Sequence, residues 1–291
     1  MKMPGLLFVA VILVAAPAHA ADRITVIVDA FGDRADIAHD WGYSALVEIG
    51  GKRILFDAGN NAELFERSVD ALKIDLSRLD AVVISHRHGD HTAGLRLIRR
   101  LNPSVKIYAP EDEHFGGPTR QSFFRPDAAL PPEMRYFGGA PPAVVPHGSA
   151  WGDMAFVRVG ATAEILPGVR LVPVVSNTPG TRDLMELTLV VDTSAGQVIV
   201  VGCSHPGIEK VLEAVTEMDG SVRLLVGGMH LVTAPVDEVR RIADALRDRW
   251  HVLSIAPGHC TGELAFGRMR AVFGDRYLFA GAGTTMELGP G

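Results

Sequence analysis

Cysteine is scarce in this sequence: Cys203 and Cys260 are the only two among 291 residues, too few for a disulfide scaffold even in an oxidising compartment. Blocks of basic residues are missing as well. With a formal net charge of −6, the chain is poorly suited to nucleic acid or an anionic membrane surface as partner. Long apolar runs are confined to the start of the chain, where Leu6 to Ala16 falls short of the roughly 20 residues that cross a bilayer. Lys2 precedes that run and Ala18-His19-Ala20 follows it, so residues 1–20 read as a signal peptide cleaved before Ala21. The expected product is periplasmic or secreted and keeps no stable membrane anchor.

What remains, residues 21–291, fits a single large α/β domain and is long enough to bury a substantial core. Arg23 to Ala30 reads as a strand, and Tyr43 to Ile49 and Arg53 to Phe56 read as a hairpin joined by Gly50-Gly51. Ala62 to Leu72 has helical spacing, Ala81 to Ile84 is an apolar strand, Thr92 to Leu101 a helix, and Val105 to Tyr108 a short strand. The second half predicts strands at Val169 to Val175, Met185 to Asp192, Gln197 to Val201, Val222 to Val226 and His251 to Ile255. Helices fall over Ile208 to Met218 and Val236 to Arg247. Strands alternating with helices indicate βαβ units. Between the halves, residues 110–152 lose periodicity and are broken by Gly and Pro pairs. That stretch nevertheless holds Phe115, Phe123, Phe124, Tyr136, Phe137 and Trp151, too many aromatics for a disordered linker, and reads as a lid or pocket wall. His114 and His147 within it read as solvated.

The chemistry concentrates in Ser85-His86-Arg87-His88-Gly89-Asp90-His91, a turn between strand and helix. Three imidazoles and a carboxylate are borderline to hard donors suited to Zn²⁺, Mn²⁺ or Fe. His86 and His88 stand two apart on extended backbone and can point the same way, while Asp90 and His91 fall where the helix begins. Two metal sub-sites are therefore possible. Three more histidines, His205, His230 and His259, each follow a predicted strand at the same end, where α/β sheets place their ligands. Pro206 suits a first helical turn and so puts His205 at a helix entrance. Asp57, in Asp57-Ala58-Gly59, is by itself a natural turn former.

The turn resembles the HxHxDH signature of the metallo-β-lactamase superfamily. Together, ILFDAG, SHRHGDHTAGL, GCSHPGI, GGMHL and GHCTG resemble a branch that includes dihydropterin-methyl ribofuranosylaminobenzene phosphate synthases, over nearly all of residues 21–291. The resemblance implies an α/β fold of four layers, an αββα sandwich of two pseudo-symmetric halves. It also implies one or two divalent ions, zinc before manganese or iron. His86, His88 and His205 would form the first sub-site, and Asp90, His91 and His259 the second, with Asp57 behind the turn to orient a ligand. The chain departs from the superfamily pattern at Asn177-Thr178-Pro179-Gly180, which has no histidine, and at Cys203, where a bridging aspartate is usual. Some superfamily lactamases ligate metal through a cysteine there; a buried inert thiol is the equal alternative.

The activity so implied is metal-assisted hydrolysis of an ester, amide or phosphate in a small-molecule substrate. Asp90 would bind metal and orient the water. His230 would protonate the leaving group or hold a substrate anion, unless it is a structural histidine at a strand end. A pterin-type synthase or transferase and a non-catalytic metal-binding or redox protein are the competing classes, since substrate transfers less well than chemistry within a fold.

Overall fold

Side chains along a strand alternate between two faces, and here both faces of most strands are apolar, so each strand serves two dry layers at once. The protein is described by a computed structural model over residues 22–112, 119–120, 127–145, 154–216 and 221–288. Its first half runs β1 (Arg23–Val28), β2 (Ser44–Ile49), β3 (Lys52–Phe56), α1 (Ala62–Ala71), β4 (Ala81–Val83), α2 (Leu95–Leu101), β5 (Ile107–Pro110), β6 (Thr119–Arg120), β7 (Val144–Val145) and β8 (Val157–Val159). The second runs β9 (Ala163–Leu166), β10 (Val169–Val175), β11 (Met185–Thr193), β12 (Gly196–Val201), α3 (Ile208–Thr216), β13 (Val222–Gly228), α4 (Val236–Asp248), β14 (Ser254–Gly258), α5 (Glu263–Phe273) and β15 (Thr285–Glu287).

One sheet has the order β15-β1-β2-β3-β4-β5-β8 and the other β14-β13-β12-β11-β10-β9, with β6-β7 a small separate ladder. Ile24, Val47 and Phe56 of the first sheet pack against Leu189, Val200 and Val226 of the second, forming the central core. On the outer face of the first sheet, Ile27, Leu55 and Val82 meet Phe65 and Val69 of α1 and Leu95 and Ile98 of α2. On the outer face of the second, Ile199 and Leu225 meet Leu212 of α3, Leu246 of α4 and Met269 of α5. The layers are therefore αββα. Helix α4 shows the cause: Val239, Ile242, Ala243 and Leu246 fall at i, i+3, i+4 and i+7 and are all buried. Burying each of the larger ones contributes about 1.5–3 kcal/mol.

Strands β3, β4, β5 and β8 run parallel, as do β12, β13 and β14. Their carboxyl ends thus come together along one rim of the sandwich. Two close approaches at that rim depend on glycine: a Cβ on Gly227 would lie 1.9 Å from the Val201 carbonyl oxygen, and one on Gly228 would lie 2.3 Å from that of Gly202.

Several boundaries differ from expectation for identifiable reasons. The helix expected from Thr92 starts at Leu95, because the amides of Ala93 and Gly94 donate to the carbonyls of Gly59 and Ala58 rather than to a helical turn. The strand expected over residues 251–255 lies at Ser254–Gly258; the Val252 and Leu253 amides are used closing α4 and pairing with Val222. Similarly, β5 begins at Ile107 rather than Val105. The expected end of α3, Met218, lies outside the described residues, as do the leader and His114, Phe115, Phe123, Phe124, His147 and Trp151. Among the described residues no helix is long and apolar enough to cross a membrane.

Candidate metal centre

The first cluster of donors comes from β4 and β12. Just past β4, His86 Nε2 stands 3.0 Å from His88 Nδ1, and His205, past β12, brings its Nε2 to 3.3 Å from His86 Nε2 and 3.0 Å from His88 Nδ1. For Zn–N bonds of about 2.0–2.1 Å, tetrahedral geometry places neighbouring donors about 3.3–3.4 Å apart. Three nitrogens facing one another can be satisfied only in pairs by hydrogen bonds, whereas one cation satisfies all three lone pairs. The Ser85 hydroxyl donates to Asp57 Oδ2 at 2.7 Å, so at 2.9 Å it accepts from His86 Nδ1–H. That tautomer leaves the His86 Nε2 lone pair aimed at the cluster.

A second cluster adjoins it. Asp90 Oδ2 lies 3.7 Å from His91 Nε2 and 3.5 Å from His259 Nε2. His91 Nδ1 is 2.7 Å from Asp57 Oδ2, while Asp57 Oδ1 accepts the Ser85 amide at 2.7 Å. Asp57 is thus more than a turn former. Completely buried behind the turn, it holds both Ser85 and His91 and sets the His91 Nε2 lone pair toward Asp90. Both ring nitrogens of His259 lack a hydrogen-bond partner although the residue is fully buried, a cost that a bound cation relieves.

Cys203 sits between the clusters, its Sγ 3.3 Å from His91 Nε2. It falls into groups of possible ligands with His86 and His91, with His205 and His230, and with His259 and Cys260. The His230 ring lies 4.2 Å from that of His205, centre to centre, beyond the end of β13. Four site positions that are not glycine have positive φ: Asp57 (58°), Ser204 (59°), His230 (49°) and His259 (48°). Such backbone is costly for residues with a Cβ and persists where surrounding contacts impose it.

Two of those contacts are buried carboxylates that went unnoticed in the sequence. Glu186, on β11, accepts the amides of Cys203, Ser204 and His205 at 2.6, 2.7 and 2.8 Å. Asp29, at the end of β1, accepts the His259 amide at 2.8 Å and that of Ala30 at 2.7 Å. The available signal was an acidic residue beside an otherwise apolar strand. Trp41 packs beside the site, its ring tilted against that of His259 at 4.7 Å and edge-on to Tyr136 at 5.2 Å, centre to centre. Tyr136 belongs to the stretch expected to form a pocket wall, and its hydroxyl accepts the Gly262 amide at 2.5 Å.

Burial, reinforced by neighbouring imidazoles, pushes His86 and His205 well below the usual histidine range, leaving them neutral as metal ligands must be. Burial would lower His91 too, but the charges of Asp57 and Asp90 outweigh it and raise His91 to about 9. Those carboxylates favour positive charge at this point, from a proton or from a metal ion. Burial pushes the Cys203 thiol up.

Fold and site together define a metal-binding protein of αββα architecture, with its donors at the rim of the sandwich. The sequence pattern of the metallo-beta-lactamase superfamily matches residues 42–185, and the chain belongs to that superfamily. A curated relative, the 7,8-dihydropterin-6-methyl-4-(beta-D-ribofuranosyl)-aminobenzene-5'-phosphate synthase of Methanocaldococcus jannaschii, is 27% identical over 76% of this chain and 81% of its own length. The crystal structure of a metal-dependent hydrolase of the beta-lactamase superfamily is 25% identical, with TM-score 0.69 over 92% of this chain and 99% of that one. Human tRNase Z, short form, shares the fold at TM-score 0.53 and 12% identity, covering 91% of this chain and 98% of its own. The branch resemblance carried by the motifs and the sandwich implied by it are thus both found.

Proposed function

We propose that the protein is a metal-dependent hydrolase acting on a small-molecule ester, amide or phosphate. One observation carries the proposal: two adjoining donor clusters, His86–His88–His205 and Asp90–His91–His259, converge at a single rim. Nitrogen and oxygen donors at near-tetrahedral spacing favour Zn²⁺, with Mn²⁺ or Fe as alternatives. A divalent ion held by His86, His88 and His205, or by Asp90, His91 and His259, would supply Lewis acidity toward the scissile group and a nucleophile near neutral pH. Asp90 accepts a hydrogen bond from the attacking water and orients it. His230, half-buried beside His205, donates a proton to the leaving group.

The test is metal analysis of the purified protein, then hydrolysis of lactams, lactones and phosphodiesters with and without chelator. Turnover lost on chelation and restored by zinc is expected; metal-loaded protein inert on all three classes counts against a hydrolase. The similarity to the dihydropterin synthase favours a second reading, synthesis of a pterin–aminobenzene product, to be assayed with a dihydropterin and a phosphoribosyl-type aminobenzene. The leader-like residues 1–20 support export, which favours hydrolysis over a cytosolic pterin pathway. N-terminal sequencing decides this: a chain beginning at Ala21 is expected, and a full-length cytosolic product would revive the synthase.

A further inference from the structure

Beside the two imidazole-rich clusters lies a third group of donors of a different chemical kind. Cys203 Sγ, Cys260 Sγ and a ring nitrogen of His259 all lie within 4.8 Å of one another, and all three residues are buried. We propose that Cys203, Cys260 and His259 form a binding site for a thiophilic cation, sharing His259 with the Asp90–His91 pair.

Three observations carry it. The first is that the two thiols, although part of an apolar cluster with Phe31, Trp41 and Phe266, each also meet a polar atom: Cys203 Sγ is 3.3 Å from His91 Nε2, and Cys260 Sγ is 3.6 Å from the Cys203 carbonyl oxygen. The second is His259, fully buried with neither ring nitrogen hydrogen-bonded. The third is fixed backbone, since Glu186 holds the Cys203 amide at 2.6 Å and Asp29 the His259 amide at 2.8 Å. Around a tetrahedral ion with Zn–S bonds of about 2.3 Å and Zn–N bonds of about 2.0–2.1 Å, donors stand about 3.5–3.8 Å apart. The three atoms, all within 4.8 Å of one another, therefore need to close by about 1.3 Å at most, within the reach of small side-chain rotations.

Two thiolates and an imidazole select Zn²⁺, Cd²⁺ or Cu⁺ over Mg²⁺, Ca²⁺ or Mn²⁺. Binding replaces the two thiol protons by the cation and releases both to solvent, with no change of oxidation state. Because a neutral His259 offers one lone pair and so binds one cation at a time, a soft cation here empties the Asp90–His91 pair of its third donor. Thiophilic ions would then inhibit the proposed hydrolase while remaining tightly bound.

The test is titration of reduced, metal-stripped protein with Cd²⁺, following thiolate-to-cadmium absorption in the near ultraviolet. One cadmium per chain is expected to give a band of two-thiolate intensity. That band falls to about half in Cys260→Ser, vanishes in the Cys203→Ser/Cys260→Ser double variant, and persists in Asp90→Asn. An unchanged band in Cys260→Ser overturns the site, leaving Cys203 as a lone thiolate ligand. Cadmium bound without any band overturns it as well. Should the variants fail to fold, band intensity per cadmium in the unmodified protein, set against a two-thiol peptide standard, decides between one and two thiolates. Uptake of zinc, manganese and iron measured in parallel separates the two proposals: any of them bound without a cadmium–thiolate band defeats the thiol site only, whereas none of the three bound defeats the hydrolase.

Discussion

Glu186 offers the most direct way to ask whether the donor loop after β12 is held for metal binding or merely for folding. In Glu186→Ala, three buried amides, now hydrogen-bonded at 2.6, 2.7 and 2.8 Å, lose their acceptor. Each unsatisfied buried amide costs about 1–3 kcal/mol. Part of this is offset because burial has already pushed the Glu186 carboxyl up, so removing it relieves a desolvation cost. A net loss of about 2–5 kcal/mol follows, or roughly 5–15 °C in Tm for a domain of this size. Glu186→Gln keeps one carbonyl acceptor and loses less. The loop also carries Cys203 and His205, so metal affinity should fall about 10–100-fold in both variants, as when partners of metal ligands are removed. The assay is competition with a chromophoric chelator beside thermal unfolding, with Leu246→Ala in α4 as control. Leu246 is buried in the outer layer between α4 and the second sheet and belongs to none of the donor clusters, and its truncation costs about 2–5 kcal/mol. Comparable loss of Tm in both proteins, with metal affinity unchanged in the Glu186 variants, would refute the idea that Glu186 positions the ligands.

Other expectations are sharp enough to test. His205→Ala should lower metal per chain and abolish hydrolysis, whereas His230→Ala should keep its metal and lose turnover; full metal occupancy in His205→Ala would remove that residue from the ligand set. Asp57→Asn turns an amide N–H toward the donors of Ser85 and His91, now both at 2.7 Å. Competitive chelation should show about 10–100-fold weaker metal binding, and wild-type affinity would mean that Asp57 only shapes the turn. Burial pushes the Asp40 carboxyl up to about 6, against about 3.9 in an unfolded chain. Folding is therefore most favoured, as far as Asp40 is concerned, below about pH 4, and this contribution is lost as pH rises through about 6, amounting to about 2 kcal/mol after allowance for partial exposure. In metal-free protein Asp40→Asn should be more stable than wild type at pH 8 and equal to it at pH 4, read from paired denaturant titrations.

Local order was enough to place much of the site. His86, His88, Asp90 and His91 lie within six residues, so a strand before them and a helix after them determine that they share one rim. Apolar alternation likewise determined which segments form layers, and the position of His205, His230 and His259 after apolar strands put them at the same end. Tertiary structure alone decided which strand ends become neighbours. Cys203 meets His91 across 112 residues and Asp29 reaches the His259 amide across 230, separations that no spacing rule encodes. Glu186 was hidden for a related reason: in sequence it is one acidic residue before a run of apolar ones, and its purpose exists only where the β12 loop turns three amides onto it. Whether Cys203 is an inert thiol or a ligand is a question of the same kind, because a cysteine's chemistry is set by its neighbours: His230, His259 and Cys260 come from the adjoining strands β13 and β14, and His86 and His91 arrive past β4 only when the two sheets close on each other.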